Sequence, residues 1–185
     1  GDEPTGEPAA PGADAYFLFV GTLEPRKNLP RLLRAYRRYV QGAPRARGLK
    51  IVGAGGWGGE DIAGLVRELG LAQQVQLLGR VDDAALLSLY RGAHALLMPS
   101  LYEGFGLPVV EALSLGVPVI VSRDSAMAEV AGSAGLCVDP QSEDEMAQTL
   151  DTLCRDAGLY ARLRQQTFIE AGRYSWEQSA ALMAG

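Results

Sequence analysis

The chain has 185 residues, 48% of them hydrophobic, and a formal net charge of −5. That is ample apolar material for one buried core, which excludes disorder of the whole chain. The acidic balance argues against non-specific nucleic-acid binding, which needs Lys and Arg to displace counterions from phosphates.

Residues 1–14, GDEPTGEPAAPGAD, are rich in Gly, Pro and acid and read as a linker, with the folded domain at 15–185. From there, short apolar runs alternate with helix-period segments. The first run is AYFLFVG (15–21), followed by a helix with Asn28 as its N-cap and Pro30 in its first turn. Leu29, Leu32, Leu33, Tyr36 and Val40 fall on one face of that helix. The run LKIVG (49–53) precedes a helix near 60–70, and VQLLG (75–79) precedes one near 83–92 that Asp82 and Asp83 begin. ALLMPS (95–100) leads to a helix near 108–115, and VPVIVS (117–122) to one near 126–131. After GLCVD (135–139), Ser142 and Glu145 make a capping box for SEDEMAQTLDTLCRDA, followed by GLYARLRQQTFIEAG and SWEQSAALMAG.

The runs are continuous rather than alternating, as in strands buried on both faces. About six strand–helix repeats imply a Rossmann-like open parallel sheet with helices on both faces, an α/β fold. Ligands bind such sheets outside the carboxyl ends of the strands. Cys137 and Cys154 form no metal spacing and no disulfide framework, and Cys137 reads as a small buried hydrophobe. This cysteine usage and the absence of a signal peptide or long apolar stretch predict a cytoplasmic protein.

Pro25 to Gly59 contains no Asp or Glu, yet holds nine of the 17 basic residues. An anionic ligand, an anionic surface or a solvated helix face would each account for this. In the loop after the first strand, Arg26 and Lys27 stand beside a helix start and suit a diphosphate. Arg31, Arg34 and Arg38 lie opposite the leucines, and a solvated face is the simpler reading than attraction to a lipid surface.

SLYEGFGLPVVEA (100–112) follows the fourth strand. Glu103 lies in its loop, and Gly104 and Gly106 let the backbone approach a ligand. Pro108 starts a helix whose free amides can hold phosphates. Glu111 lies one turn in, where a carboxylate can accept two vicinal hydroxyls of a ribose.

These blocks, with FLFVGTLEPRKNLPRLLRAY, VQLLGRVDDAALLSLYRGAHALLMPS, EVAGSAGLCVDP and YSWEQSA, resemble the GT-B-fold glycosyltransferases of retaining group 4, and among them the mannosyltransferase-like enzymes. The resemblance runs from Tyr16 to about Trp176. It implies that Lys27 and Arg26 bind the donor diphosphate and stabilise the leaving group, and that Glu103 touches the donor sugar. Glu111 would hold the ribose, and the backbone near Gly79, Arg80 and Val81 would meet the base. Gly21, Thr22, Gly104, Phe105, Gly106 and Leu107 would line the same donor site. Thr22 departs from the family, many members of which have Arg there; Ala128 replaces a frequent Pro and His94 a frequent Asp.

The implied ligand is a GDP- or UDP-linked sugar, with no metal and no other cofactor, since no D-x-D motif stands at a strand end. The acceptor, a glycan or lipid-linked sugar, would belong to a preceding N-terminal domain that this chain lacks, so the isolated domain should be inactive. For the whole enzyme, peripheral association with the inner membrane face is compatible with such an acceptor. Two other functions fit parts of the sequence. One is a nucleotide-sugar binding module without catalysis. The other is an NAD(P)-dependent oxidoreductase, from the G-x-G-x-x-G at Gly53, Gly55 and Gly58. That motif follows the second strand rather than the first. The next strand ends in Gly79 and Arg80, where a dinucleotide site needs a ribose-binding acid. It therefore reads as a Gly-rich turn bordering the cleft, with Trp57 at its rim or, the simpler reading, in packing.

Overall fold

The computed structural model describes residues 12–55, 61–103 and 106–183. In chain order the elements are β1 (Tyr16–Val20), α1 (Leu29–Gly42), β2 (Leu49–Val52), α2 (Ile62–Glu68), β3 (Val75–Gly79) and α3 (Asp83–Arg91). Then follow β4 (Ala93–Met98), α4 (Leu107–Ser114), β5 (Val119–Ser122), α5 (Ala126–Ala131), β6 (Gly135–Val138), α6 (Glu143–Arg155) and α7 (Ala157–Met183). Every pairing is parallel, and the strand order is β3-β2-β1-β4-β5-β6. The sequence therefore gives the right fold class, strand by strand. Most of residues 1–14 lie outside the described residues.

Successive side chains of a strand point to opposite faces, so a two-sided core needs apolar residues at every position of the central strands. In β1, Phe17 and Phe19 enter one core with Leu32, Leu33, Tyr36, Leu150 and Leu153, while Leu18 enters the other with Met98, Val109, Leu113 and Met127. All of β4 is buried. At roughly 25 cal/mol per Å² of apolar surface removed from water, these two clusters are the main stabilising contribution.

The flanking strands depart from the two-sided reading. β3 leaves Gln76, Leu77 and Leu78 exposed, and in β6 Cys137 is exposed rather than buried. Both are edge strands, and the helices converge on the centre of the sheet, so an apolar run at an edge lacks cover.

Local signals give mixed results. Asp82 caps α3 by accepting from Ala85 N at 2.8 Å. Ser142 caps α6 by accepting from Glu145 N at 3.1 Å. The reciprocal half of that capping box is missing: the Glu145 side chain pairs with Arg123, and Ser142 N donates to Asp139 O. Asn28 precedes α1 but does not cap it with its side chain; its backbone is left-handed, at φ 67°. The segments after Ala157 form one helix, not two.

The Arg31, Arg34 and Arg38 stripe is solvent-exposed at Arg34 and Arg38, as expected, and both also pair with acids of α6. Arg34 pairs with Glu143, and Arg38 with both Glu143 and Asp144, so α1 docks on the acidic first turn of α6. Carboxylates at a helix N-terminus are favoured by its dipole, and the arginines neutralise them. Arg31 donates to Asn28 Oδ1 at 3.1 Å and to Pro140 O at 3.3 Å.

His94 lies inside β4, which begins two residues earlier than the sequence implies. Its ring stacks on Tyr160 at 4.0 Å, and Nε2 donates to Leu153 O at 3.0 Å. It is a core residue without a place in the site. Among the described residues, no helix is long and apolar enough to cross a membrane.

Candidate functional site

The strand order reverses between β1 and β4, and ligands of open parallel sheets bind outside the carboxyl ends of the strands at such a switch point. The loops that follow these two strands carry Lys27 and Glu103. After β1, Pro25–Lys27 forms a 3-10 turn closed by Lys27 N to Glu24 O and Asn28 N to Pro25 O, both 3.0 Å. The turn tucks Lys27 inward and leaves Arg26 exposed.

Asn28 fixes this turn from below. Its Nδ2 donates to Pro99 O at 2.9 Å and to Pro140 O at 2.7 Å, joining the loops after β1, β4 and β6. Asn tolerates the left-handed region better than most side chains, which suits it to this bend. Leu101 N donates to Arg26 O at 2.8 Å, and Ser122 Oγ to Ser100 O at 2.6 Å. Four loops are thereby tied into one platform.

On that platform Lys27 Nζ and the Glu103 carboxylate form an ion pair, their side chains 8% and 6% exposed. Ser100 Oγ donates to Glu103 Oε1 at 3.3 Å, and Arg26 Nη1 lies 3.8 Å from Oε2. Arg26 also bonds Glu24 through Nε at 2.6 Å. One carboxylate thus sits among two cations and a hydroxyl.

Glycines make room for this arrangement. A Cβ on Gly21 would stand 3.3 Å from Lys27 Cε, so the lysine stem crosses an open backbone. Gly53, at φ +139°, lies so close to the Gly21 carbonyl that a Cβ would come within 1.8 Å of its oxygen. Gly53 N donates to Gly79 O at 2.8 Å, and Gly21 N to Val52 O at 3.0 Å. Gly21, Gly53 and Gly79 therefore form one row along the carboxyl ends of β1, β2 and β3. Packing against β1 accounts for Gly53, without a dinucleotide. Gly58 and Trp57 lie outside the described residues.

Glu111 is half-buried in α4 and accepts a hydrogen bond from Tyr90 on α3, at 2.8 Å to Oε2. Both line a cavity of about 330 Å³ between the two helices, with Asp83, Leu86, Leu87 and Leu115. Gly106 is buried at the start of α4, where a Cβ would meet Met127 at 3.0 Å. Leu107 is 53% exposed. Helix α4 starts at Leu107 rather than at Pro108. Thr22 and Arg80 are exposed, and Val81 is half-buried against the α3–α4 core. Gly104 and Phe105 lie outside the described residues. Of the sequence-selected residues, Lys27, Arg26 and Glu103 meet directly. Glu111 stands apart from them, tied to Tyr90. Sequence reasoning missed Tyr90, Ser100 and the true role of Asn28, because each acts through a partner in another loop or helix.

Residues 4–169 match the family model described as glycosyl transferases group 1. The chain belongs to this family. Curated proteins similar to it include the O-antigen chain mannosyltransferase B of Escherichia coli. That protein is 36% identical over 162 residues, 88% of this chain and 42% of its own length. The D-inositol 3-phosphate glycosyltransferase of Corynebacterium efficiens is 31% identical over 173 residues, 90% of this chain and 41% of its own length. The chain thus spans about two fifths of the length of these two curated relatives.

Solved structures share the fold. The C-terminal domain of a glycosyl transferase group 1 family protein from Francisella tularensis superposes with a TM-score of 0.75 at 24% identity, covering 85% of either chain. An Anabaena protein solved with UDP and glucose gives a TM-score of 0.77 at 22% identity, over 92% of this chain and 48% of that one. In this group 1 domain, the basic and acidic loops therefore meet at the switch point of a fold shared with glycosyl transferases.

Proposed function

We propose that this chain is the C-terminal, donor-binding half of a retaining GT-B glycosyltransferase of group 4. It would take a GDP- or UDP-linked hexose such as mannose, for transfer to a glycan or lipid-linked acceptor. The observation that carries this reading is the meeting of Lys27, Arg26 and Glu103 at the switch point of the sheet, in a chain that matches the group 1 family over residues 4–169. Two further facts support it. Similar curated proteins include an O-antigen mannosyltransferase. The chain also covers most of a solved C-terminal domain but only part of longer relatives.

The chemistry follows from charge. Breaking a bond from the anomeric carbon to a nucleoside diphosphate develops negative charge on the leaving phosphate and positive charge on the sugar. Preorganised cations and amides stabilise the former in a crevice with little water. Lys27 would exchange Glu103 for the diphosphate, with Arg26 at its exposed side. The Leu107 and Val109 amides, in the first turn of α4, add partial positive charge. Glu103, released from Lys27, would contact the donor sugar. Glu111 would accept the ribose hydroxyls, and the backbone at Gly79, Arg80 and Val81 would meet the base. These groups would do the work without a divalent cation. The acceptor would be held by the other half of the enzyme, so this chain alone binds donor and transfers little.

The test is a thermal-shift titration with GDP, UDP, ADP, GDP-mannose, UDP-glucose and NAD, on the unaltered chain, Lys27→Ala and Glu111→Ala. A ligand that binds only the folded state raises the melting temperature. One nucleoside diphosphate and its sugar should do so, and both variants should lose the shift. A shift with NAD alone, or a nucleotide shift untouched by either substitution, would overturn the reading.

A further inference from the structure

Glu111 has one hydrogen-bond partner among the described residues, the phenol of Tyr90. Tyr90 lies in the last turn of α3 and is 2% exposed, in the same core cluster as Val109 and Leu113. A buried tyrosine ring has two dihedral angles and little freedom, so its hydroxyl is fixed in space. Its one proton goes to Glu111 Oε2 at 2.8 Å; the Pro108 carbonyl, at 3.4 Å, is a weaker second acceptor. Burial and the neighbouring Glu111 both push the phenol's pKa above the ordinary tyrosine value, so the group stays a donor at neutral pH. A glutamate has several rotatable bonds, and one that must receive two adjacent hydroxyls loses affinity if it is not held beforehand. Oε2 is occupied by Tyr90, while Oε1 takes no bond from a described residue.

We propose that Tyr90 is a positioning residue for nucleotide recognition. Its hydroxyl holds the Glu111 carboxylate in the orientation that accepts the vicinal ribose hydroxyls of the donor. This rests on the reading of Glu111 as the ribose-binding group. Tyr90 acts through Glu111. It lies on another helix, 21 residues earlier, which is why the motif around Glu111 does not contain it.

The experiment compares GDP and UDP with their 2′,3′-dideoxy analogues by calorimetric titration of the unaltered chain, Tyr90→Phe and Glu111→Ala. The unaltered chain should prefer the ribonucleotide, and Glu111→Ala should abolish that preference. Tyr90→Phe should reduce it about five-fold, the size expected for one lost hydrogen bond, while affinity for the dideoxy form stays unchanged. A purely structural Tyr90 would weaken both ligands equally and keep the preference, which overturns the proposal alone. Preference retained in Glu111→Ala overturns the ribose reading and the proposal with it. Failure of the unaltered chain to bind either nucleotide has the same double consequence.

Discussion

Lys27 and Glu103 stand 76 residues apart in the sequence and form one buried ion pair between the loops that follow β1 and β4. Their charges were removed from water together, and either one left alone would be an uncompensated buried charge. Glu103→Ala should therefore lower unfolding stability by about 3 kcal/mol in urea titration. The double variant Lys27→Met, Glu103→Leu should recover most of the loss. Additive losses would mean that the two groups do not depend on each other.

The same pair predicts a binding effect. If the donor diphosphate must draw Lys27 away from Glu103, then Glu103→Gln frees the ammonium beforehand. GDP or UDP should bind this variant about ten-fold more tightly, a gain of about 1.4 kcal/mol. Titration calorimetry decides it, and weaker binding would count against Lys27 as the phosphate ligand.

Gly53 tests the close approach of β2 to β1. Gly53→Ala puts a Cβ within 1.8 Å of a carbonyl oxygen at φ +139°, so the backbone must move. A loss of at least about 3 kcal/mol is expected in thermal or urea unfolding. Gly55→Ala, in the same motif, meets no described residue within 4 Å and should change stability by less than about 0.5 kcal/mol. Equal effects would refute the packing explanation of the motif.

Asn28 supplies a bend and two long-range bonds, and two substitutions separate them. Asn28→Gly keeps the left-handed backbone accessible but removes the bonds to Pro99 O and Pro140 O. It should cost about 2 kcal/mol, as the buried Pro99 carbonyl loses its amide donor and Pro140 O keeps only Arg31. Asn28→Ala should cost about 1 kcal/mol more, for the strained backbone. If the two lose equally in unfolding titrations, the φ 67° geometry carries no cost.

His94 gives a pH dependence with a defined sign. Burial is the main cause that lowers its pKa from 6.5 to about 4, reinforced by Arg47 and opposed by the bond to Leu153. The unfolded chain therefore binds more protons between those values, and stability falls as pH drops through that window. The full loss, about 3 kcal/mol, is reached below the folded pKa. Unfolding titrations across that range should show a shallower acid limb in His94→Phe. An unchanged limb would place the acid sensitivity elsewhere.

Element order was legible because it depends on neighbouring residues. Apolar runs end in Gly, Pro, Ser or Asp, and Asp82 and Ser142 cap helices that begin beside them. The loops that carry Lys27, Glu103 and Glu111 could be found for the same reason, since each follows a strand or opens a helix. Edge exposure could not be read. Leu77, Leu78 and Cys137 look like core residues until the sheet order puts β3 and β6 at its margins.

By itself, then, the sequence determined the alternating α/β fold, the strand ends that bear the site, and the acid–base character of its loops. These follow from periodicity and turn chemistry, which act over a few residues. Only the tertiary structure decided the partners. It joined Lys27 to Glu103, gave Glu111 its hydrogen bond from Tyr90, and set Gly53 against the Gly21 carbonyl. It turned Asn28 from a helix cap into a clamp across three loops, and the basic stripe of α1 toward the acidic start of α6. Each of these joins residues far apart in the chain, and their distances depend on how the sheet is ordered and how its helices pack.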